Sequence, residues 1–581
     1  MPLRPALAPL RAALTALALL AAAPARAEGS PDDQLAAARA HAAAGRWAEA
    51  AAAARDVAFH HPHTEAGRGA AIVYLEGVDG VASRGPTSRP EAYDALEADV
   101  PALVRLHCHQ GDVVAHPEPC LPLLRVQRDL ARLSDAGPGR GLEQYERRAE
   151  ADLVLWNVAG KRLCLAKHPD CKGMEHVLYD AARAFRTAKR VSRATGVRRT
   201  LTDPRYGLHT TEPAQRAMFE VAEDFETHYT FFDMAAEWYE RVAREAPTMD
   251  KAPAALERAV GLRLLLGEDA QAERNADLFE RNHGGKQPVA SGRITLRLAS
   301  RAAEQERWDD ARARLGRAMA RIDRSGRVDD RILAHALLGR IAARQLGTEA
   351  ALAEYGAVRR AWRQPDEAMK QLTAGGADNR RVVEVLEAVG EATFFFAERA
   401  RAAADAVKRP AYRGPVAEAP LRRYVLDQIV PWVPKKRAAI ERAENAYLEV
   451  LQIAPVAPPR WAIASAARAG ALWAGLAEDF TSIPKLTGPI PGRGGLTYEE
   501  LGAAYAAVIQ STLDELNGRA KRAFERCLAL STRYAHVDDT SRGCEQWLAR
   551  YAPAEHHVFD ALHEAPWRLA YRIDGRPAVP E

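Results

Sequence analysis

The sequence is poor in the residues that build β-sheets. Aromatic side chains make up only 7% of its 581 residues, and runs of the β-branched residues typical of strands are nearly absent. Alanine instead supplies much of the hydrophobic content, which is 48% of the chain, and alanine is the strongest helix former. This composition predicts an all-α protein with enough apolar material to form a folded core.

The sequence also lacks the short motifs of common enzymes. It contains no GxSxG, no P-loop, no HExxH and no GxGxxG in a strand–helix context. The best carboxylates for acid–base chemistry, Glu223, Asp224 and Glu226, lie in an amphipathic helical pattern in which exposed charge is expected. We therefore predict a protein that is not an enzyme and that carries no cofactor.

Apolar runs long enough to cross a membrane are absent from the chain. Residues 1–27 nevertheless have the three parts of a secretory signal: basic Arg4 and Arg11, an apolar run over residues 12–23, and the cleavage pattern Ala-Arg-Ala at residues 25–27. We predict that residues 1–27 are a cleaved signal peptide and that the mature chain resides in the periplasm or cell envelope. A retained signal anchor is the alternative. No cysteine follows the apolar run, so a lipid anchor is not expected.

Net charge is low as well. Loss of the signal peptide removes three arginines and no acid, so the formal charge falls from +4 to +1. A nearly neutral chain argues against nucleic acid as the partner. We expect the partners to be other envelope proteins or peptides, with no transmembrane segment in the mature chain. The oligomeric state is left open.

Cysteine is rare, with six residues in the whole chain. An even number in an exported protein is typical of disulfides. Several connectivities are possible, and local ones are favoured because short loops close at the smallest cost in entropy. The predicted pairs are Cys108–Cys120, Cys164–Cys171 and Cys527–Cys544. Free buried thiols are the alternative.

Five metal-capable side chains lie close together near the first cysteine pair: His107, Cys108, His109, His116 and Cys120. Their spacing does not match the usual structural zinc patterns. In an oxidising compartment a disulfide with incidental histidines is favoured, so we predict no metal site. A periplasmic metal-binding protein or enzyme that uses this cluster is the alternative function.

Helical-hairpin repeats are indicated by a recurring spacing of glycine, aromatic, alanine and proline. Residues 45–62, GRWAEAAAAARDVAFHHP, place these at Gly45, Trp47, Ala50 and Pro62. The spacing recurs, in full or in part, over residues 232–247, 308–311 and 443–455. This pattern is typical of tetratricopeptide repeats, in which paired helices stack in a row. The sequence therefore predicts an α-solenoid of tetratricopeptide-like helix pairs, interrupted by irregular helical segments.

The pattern divides the mature chain into three regions. Residues 28–172 form an N-terminal helical region with one clear repeat and two Cys-bearing loops. Residues 173–410 form a central tetratricopeptide-like solenoid. Residues 411–581 form a C-terminal helical repeat region with a Pro/Gly hinge at 481–495.

Individual helices follow from the same periodicity. The first repeat has helices over 32–44 and 47–60. A third helix over 66–78 should end in a loop that contains Gly77 and Gly80. One helix is predicted from Glu175 to Thr195, with Gly196 in the connector that follows. A helix pair is predicted over Tyr498–Asn517 and Gly518–Tyr534.

Three consecutive aromatic residues, Phe394, Phe395 and Phe396, lie in a long helical pattern over residues 379–410. Consecutive side chains cannot all face the same side of a helix. We therefore expect at least one of the three rings to contact a neighbouring repeat or a partner, which makes them candidate partner-binding residues. A place in the core is the alternative.

Four segments carry a resemblance to a known family. They are NAYLEVLQIAPVAPPRWAIASAARAGALWAGLAEDF, the PIP of the hinge, GRAKRAFERCLALSTRY and CEQWLARYAPAEHH. The region from about 438 to 557 that contains them resembles the C-terminal part of envelope tetratricopeptide proteins of myxobacteria, including proteins associated with gliding motility. The resemblance implies a non-enzymatic envelope scaffold that holds other proteins. Some of those proteins are outer-membrane lipoproteins, whereas this chain lacks the acylated cysteine.

Overall fold

A computed structural model describes residues 29–85, 89–109, 113–133, 141–484, 486 and 497–558, with the backbone alone for residues 89 and 499–509. The predicted signal peptide, residues 1–27, lies outside the described residues. In the predicted hinge, residue 485 and residues 487–495 lie outside them too. The chain forms two compact units, Met1–Phe279 and Glu280–Glu581, so the division falls inside the predicted region 173–410.

The first unit is a run of helices joined by short turns, in which most helices pack against the next one in the chain. In chain order they are α1 (Pro31–Ala43), α2 (Trp47–His60), α3 (Glu65–Ala82), α4 (Arg89–Val104), α5 (Cys120–Leu133), α6 (Glu143–Leu155), α7 (Lys161–Leu165), α8 (Met174–Thr187), α9 (Val191–Leu201), α10 (Glu212–Asp224), α11 (Phe232–Glu245), α12 (Ala252–Leu265) and α13 (Asp269–Phe279). Single π-helical turns continue three of them: Arg105–His109 after α4, Trp156–Gly160 after α6, and Phe225–Tyr229 after α10.

The second unit is built in the same way and begins with a π turn, Glu280–Gly284. Its helices are α14 (Pro288–Glu304), α15 (Trp308–Ser325), α16 (Val328–Gln345), α17 (Thr348–Ala361), α18 (Pro365–Ala374), α19 (Asn379–Ala406), α20 (Glu418–Tyr424), α21 (Val430–Leu451), α22 (Pro459–Thr481), α23 (Tyr498–Tyr534) and α24 (Asp539–Tyr551). A further π turn, Val425–Ile429, joins α20 to α21. None of the described helices combines the length and the apolar character of a membrane span.

The first helix pair shows why this sequence forms hairpins. The Ser30 side chain caps the start of α1 and forms a capping box with Asp33. Gly45 takes a left-handed conformation, with φ of 70°, in the turn before α2. Ala50 and Ala54 of α2 are fully buried, and their small side chains let neighbouring helices approach closely.

The described residues contain no β-strand, and the predicted fold class, an all-α solenoid of tetratricopeptide-like helix pairs, is confirmed. The core of each unit follows the seams between helices, as expected of repeat proteins. Among the largest fully buried side chains are Phe185 and Tyr239 in the first unit and Tyr447 and Trp473 in the second.

The predicted loop at Gly77 and Gly80 is wrong, because α3 continues through both glycines to Ala82. A Cβ atom on Gly77 would lie 2.9 Å from the backbone nitrogen of Ala51, and one on Gly80 would lie 2.3 Å from the Trp47 ring. The two glycines therefore make room for the close contact between α2 and α3. Packing outweighs the cost of glycine in a helix, which is about 1 kcal/mol per residue.

Two further helix predictions are corrected. The single helix predicted from Glu175 to Thr195 is two helices, because Lys189 takes a left-handed conformation, with φ of 61°, and reverses the chain between α8 and α9. The helix pair predicted to divide at Gly518 is the single helix α23. Leu516 and Ala520 on either side of Gly518 are buried, so core packing carries the helix across the glycine.

Candidate functional site

The three consecutive phenylalanines are half-buried and have neighbours within the chain. The Phe394 ring lies 5.7 Å from the ring of Tyr447 in α21 and 5.2 Å from the ring of Trp461 in α22, measured between ring centroids. Phe395 lies 4.7 Å from the ring of Tyr355 in α17. All of these contacts are made with neighbouring helices.

The third ring, Phe396, lies beneath a charged side chain. The guanidinium carbon of Arg359 is 4.8 Å from its centroid, a distance typical of a cation–π contact. Each of the three phenylalanine rings therefore has a packing partner within the chain. A role for them in partner binding stays a prediction.

The His/Cys cluster of the first unit is organised by a disulfide. Cys108 and Cys120 are bonded to each other, so neither offers a thiolate to a metal. The His107 ring is buried, and its Nε2 donates to the carbonyl oxygen of Ala58 at 3.1 Å. Burial lowers the pKa of His107 and favours the neutral ring. The remaining histidines, His109 and His116, are exposed, and the metal-site alternative receives no support from this arrangement.

Three disulfides join the cysteine pairs that the sequence predicts. Their Cα–Cα distances are 5.0 Å for Cys108–Cys120, 4.8 Å for Cys164–Cys171 and 6.5 Å for Cys527–Cys544. Each closes a short stretch of chain. Bonds of this kind stabilise a protein by about 2–4 kcal/mol, mainly by restricting the unfolded state.

A pocket of about 250 Å³ lies between α6, its π turn, α8 and α9 in the first unit. The residues that line it are Leu153, Trp156, Asn157, Leu178, Arg193, Gly196, Val197 and Thr200. Trp156, Leu178 and Val197 are buried, whereas Asn157 and Arg193 are exposed. The pocket therefore has an apolar floor and a polar rim, as protein interfaces have an apolar centre surrounded by a polar rim.

Gly196 contributes no side chain to the lining of this pocket. It lies in α9, not in the connector predicted from the sequence, and a Cβ atom built on it meets nothing within 4 Å. A larger side chain here would occupy open space without a clash against the fold. The floor is held by Trp156, whose ring meets the ring of Tyr206 edge-on at 5.0 Å.

A buried ion-pair network fixes the helix that carries Gly196. Asp224, at the end of α10, is 1% exposed. It accepts hydrogen bonds from Arg198 at 2.7 Å and from Thr195 at 2.8 Å, and a third from Arg186. The exposed carboxylate that the sequence pattern predicts at Asp224 is therefore wrong. This side chain anchors α8 and α9 to α10 and is paired with two arginines.

On the rim, Arg193 is held in place by several contacts. Its guanidinium lies over the Phe185 ring, 4.1 Å from the centroid. It also donates to Glu150 and lies 3.6 Å from Glu146. The arginine thus presents a fixed, largely neutralised edge to the pocket.

A second, more open cavity of about 700 Å³ lies between α11, α12 and α13. Its charged groups satisfy one another. Glu240 accepts from Arg263 at 2.8 Å and 2.9 Å and from Asn275 at 2.7 Å. Burial acts to raise the pKa of Glu240, but these hydrogen bonds together hold it below its ordinary value. The cavity thus contains a carboxylate that stays charged and paired.

A tyrosine, a carboxylate and an arginine form the same contact at five places in the described residues. The tyrosine hydroxyl donates to the carboxylate at 2.5–2.9 Å, and an arginine pairs with the same carboxylate. These triads are Tyr74–Asp99–Arg55, Tyr179–Glu220–Arg198, Tyr239–Glu226–Arg258, Tyr355–Glu391–Arg340 and Tyr447–Glu398–Arg401. Burial raises the pKa of every one of these tyrosines, so the hydroxyls stay protonated and able to donate. The triads tie helices together.

Comparisons with known proteins give structural neighbours only. No protein-family model matches the chain, and no curated protein sequence matches it either. One similar solved structure is the C-terminal part of a TPR repeat-containing protein from Cytophaga hutchinsonii, with 15% identity and a TM-score of 0.28, covering 42% of this chain and 93% of that one.

Two further structures match over most of this chain. The Naa15/Naa10 complex bound to HypK-THB has 13% identity and a TM-score of 0.27, covering 88% of this chain and 81% of that one. A signal transduction ATPase with numerous domains and a tetratricopeptide repeat sensor, from Pyrococcus horikoshii, has 12% identity and a TM-score of 0.22, covering 87% of this chain and 74% of that one. At these scores the fold assignment rests on the helix pairs themselves, and the association with gliding motility stays a prediction.

Proposed function

We propose that this protein is a non-enzymatic scaffold of the cell envelope that binds other proteins. The observation that carries the proposal is the pocket between α6, α8 and α9, which has an apolar floor and open space beside Gly196. Small-molecule sites usually measure about 300–1,000 Å³, and this pocket is smaller, at about 250 Å³. It suits a single large apolar side chain of a partner polypeptide.

Interfaces gain most of their affinity from a few such side chains buried in pockets that are already formed. The pocket is already formed, because Trp156 is packed against Tyr206 and α9 is anchored by Asp224. Polar groups on the rim, Asn157 among them, are placed to meet the backbone next to the inserted side chain. Binding would therefore require little rearrangement of this protein.

The test combines crosslinking with a matched pair of variants. A photoreactive amino acid at Asn157, on the rim, identifies the partner by crosslinking in cells, and the purified partner is then titrated against the full chain. We expect Gly196→Leu, which fills the pocket, to weaken binding at least tenfold. Gly316→Leu is the control, because Gly316 lies in a helix of the second unit and its Cβ also meets nothing within 4 Å. Equal affinity of the two variants would refute the proposal.

Export is the second part of the proposal. Its support is the predicted signal peptide, residues 1–27, together with three disulfides, which persist in oxidising compartments. Mass spectrometry of the native protein should find an N-terminus at Glu28 and no cysteine that reacts with an alkylating reagent before reduction. An intact N-terminus with free thiols would contradict export.

The resemblance of residues 438–557 makes gliding-motility assemblies the first partners to test.

A further inference from the structure

The end of the described chain folds back onto helix α23. After α24 ends, the backbone N–H groups of Glu555 and His556 both donate to the carbonyl oxygen of Ala552, each at 3.0 Å. This turn brings both side chains to Glu525 of α23, and the ligand atoms of the three residues all lie within 4.8 Å of one another. The His556 Nε2 atom lies 3.2 Å from the Glu525 Oε1 atom.

Strong contacts hold α23 and α24 together beside this cluster. The Cys527–Cys544 disulfide joins the two helices two residues from Glu525. The ring of Phe524 lies 4.6 Å from that of Trp547, measured between centroids, and the ring of Tyr551 stacks on Trp547 at 4.8 Å. A rigid support of this kind keeps potential ligands in place and lowers the cost of binding.

We infer that Glu525, Glu555 and His556 form a binding site for a divalent transition-metal ion, with zinc as the best match. One imidazole and two carboxylates are a ligand set that zinc accepts in proteins, with water in the fourth position. Tetrahedral bonds of about 2.0–2.1 Å place neighbouring ligand atoms about 3.3 Å apart. The His556–Glu525 distance already meets this requirement. Glu555 is exposed and can move the remaining distance.

Lys521 is a cation that already pairs with the cluster. Its ammonium group lies 2.6 Å from Glu555 and 3.8 Å from Glu525, so it balances part of their negative charge. A divalent ion at the centre of the cluster interacts with both carboxylates and displaces this single charge. The lysine and the metal therefore compete, and removal of the lysine charge should strengthen metal binding.

The experiment is a calorimetric titration of zinc sulfate into the full chain in a non-chelating buffer at neutral pH. We expect His556→Ala to lose one equivalent of bound zinc or to bind at least tenfold more weakly. His557→Ala is the matched control, because His557 is the next residue and is exposed; it should bind zinc as the wild type does. Lys521→Gln should bind several-fold more tightly than the wild type.

Two measurements keep the test independent of folding and of other histidines. Glu555 is exposed, so Glu555→Gln removes a ligand without disturbing the core, and it should also weaken binding at least tenfold. Hydrogen exchange over residues 552–558 should slow on zinc addition in the wild type and remain unchanged in His556→Ala. Identical titrations of His556→Ala and His557→Ala, or weaker binding by Lys521→Gln, would mean that the cluster is only a set of ion pairs and would overturn the inference.

Discussion

Asp152 in α6 is a buried carboxylate that costs stability at neutral pH. It is 0% exposed, and its Oδ1 atom lies 3.4 Å from Arg132 and 3.9 Å from Arg128. The Oδ2 atom has no hydrogen-bond partner among the described residues. Burial raises the pKa of Asp152 to about 6 against the attraction of the two arginines.

The sign of the pH effect follows from that pKa. In the unfolded chain the pKa of Asp152 returns to its ordinary value of 3.8, so the folded protein holds the proton more tightly. The stabilisation that comes from protonated Asp152 is therefore fully present below pH 3.8 and is lost as the pH rises through about 6. At pH 7.5 the loss amounts to about 3 kcal/mol, and at pH 4.5 it is about 1 kcal/mol.

Asp152→Asn removes this cost because asparagine carries no charge. The side-chain N–H group of the asparagine has no acceptor here, which lowers the free energy of unfolding by about 1–2 kcal/mol. Arg132 keeps its contact with Asp180 at 3.1 Å. We expect the free energy of unfolding to rise by about 1–2 kcal/mol at pH 7.5 and to show no gain at pH 4.5. Urea unfolding followed by far-ultraviolet circular dichroism, at both pH values, measures the shift in midpoint.

Asp129→Asn is the matched control, since Asp129 pairs with Arg128, the second arginine beside Asp152, but its side chain is 56% exposed. It should show no gain in stability at pH 7.5. A lower midpoint for Asp152→Asn at pH 7.5, or an equal change at both pH values, would refute the reasoning.

Two other variants test the packing of the helices. Asp224→Ala should lower the free energy of unfolding by up to about 3–5 kcal/mol, because buried Arg198 loses one of its two carboxylate partners and keeps only Glu220. Glu212→Ala, which breaks an exposed pair, should cost under about 1 kcal/mol in the same urea assay. Gly80→Ala should lower the thermal midpoint, because its Cβ would lie 2.3 Å from a ring of α2, at a cost of about 1–3 kcal/mol. Gly316→Ala, with open space around its Cβ, should be neutral or raise the midpoint, and a fall as large as that of Gly80→Ala would contradict this account.

Local patterns were enough to predict the fold class and the first helix pair. The predicted ranges 32–44 and 47–60 match α1 and α2 to within about one residue, because caps, the Gly45 turn and buried alanines all act over short distances. Predictions failed where a tertiary contact decides the outcome. A glycine at the end of a helical pattern indicates a loop, but Gly80 faces a ring from another helix, and only the packed structure shows it.

The candidate pocket could not be predicted, for a related reason. Its floor combines Trp156 with Leu178 and Val197, which belong to different helical elements and show no common spacing in the sequence. The burial of Asp224 depends in the same way on arginines from α8 and α9. The sequence pattern places Gly196 in the connector after a single helix, because it does not reveal the turn at Lys189.

The repeated tyrosine–carboxylate–arginine triads have a consequence for how the helices stay in register. Many of the buried side chains between the helices are alanines, and such small side chains offer little resistance when one helix slides along its neighbour. A slide of one turn moves the atoms by about 5.4 Å and breaks the directional bonds of a triad, such as Tyr355 to Glu391 at 2.9 Å. The apolar contacts hold the helices together, and the directional bonds of the triads favour one alignment of the helices at each of their positions.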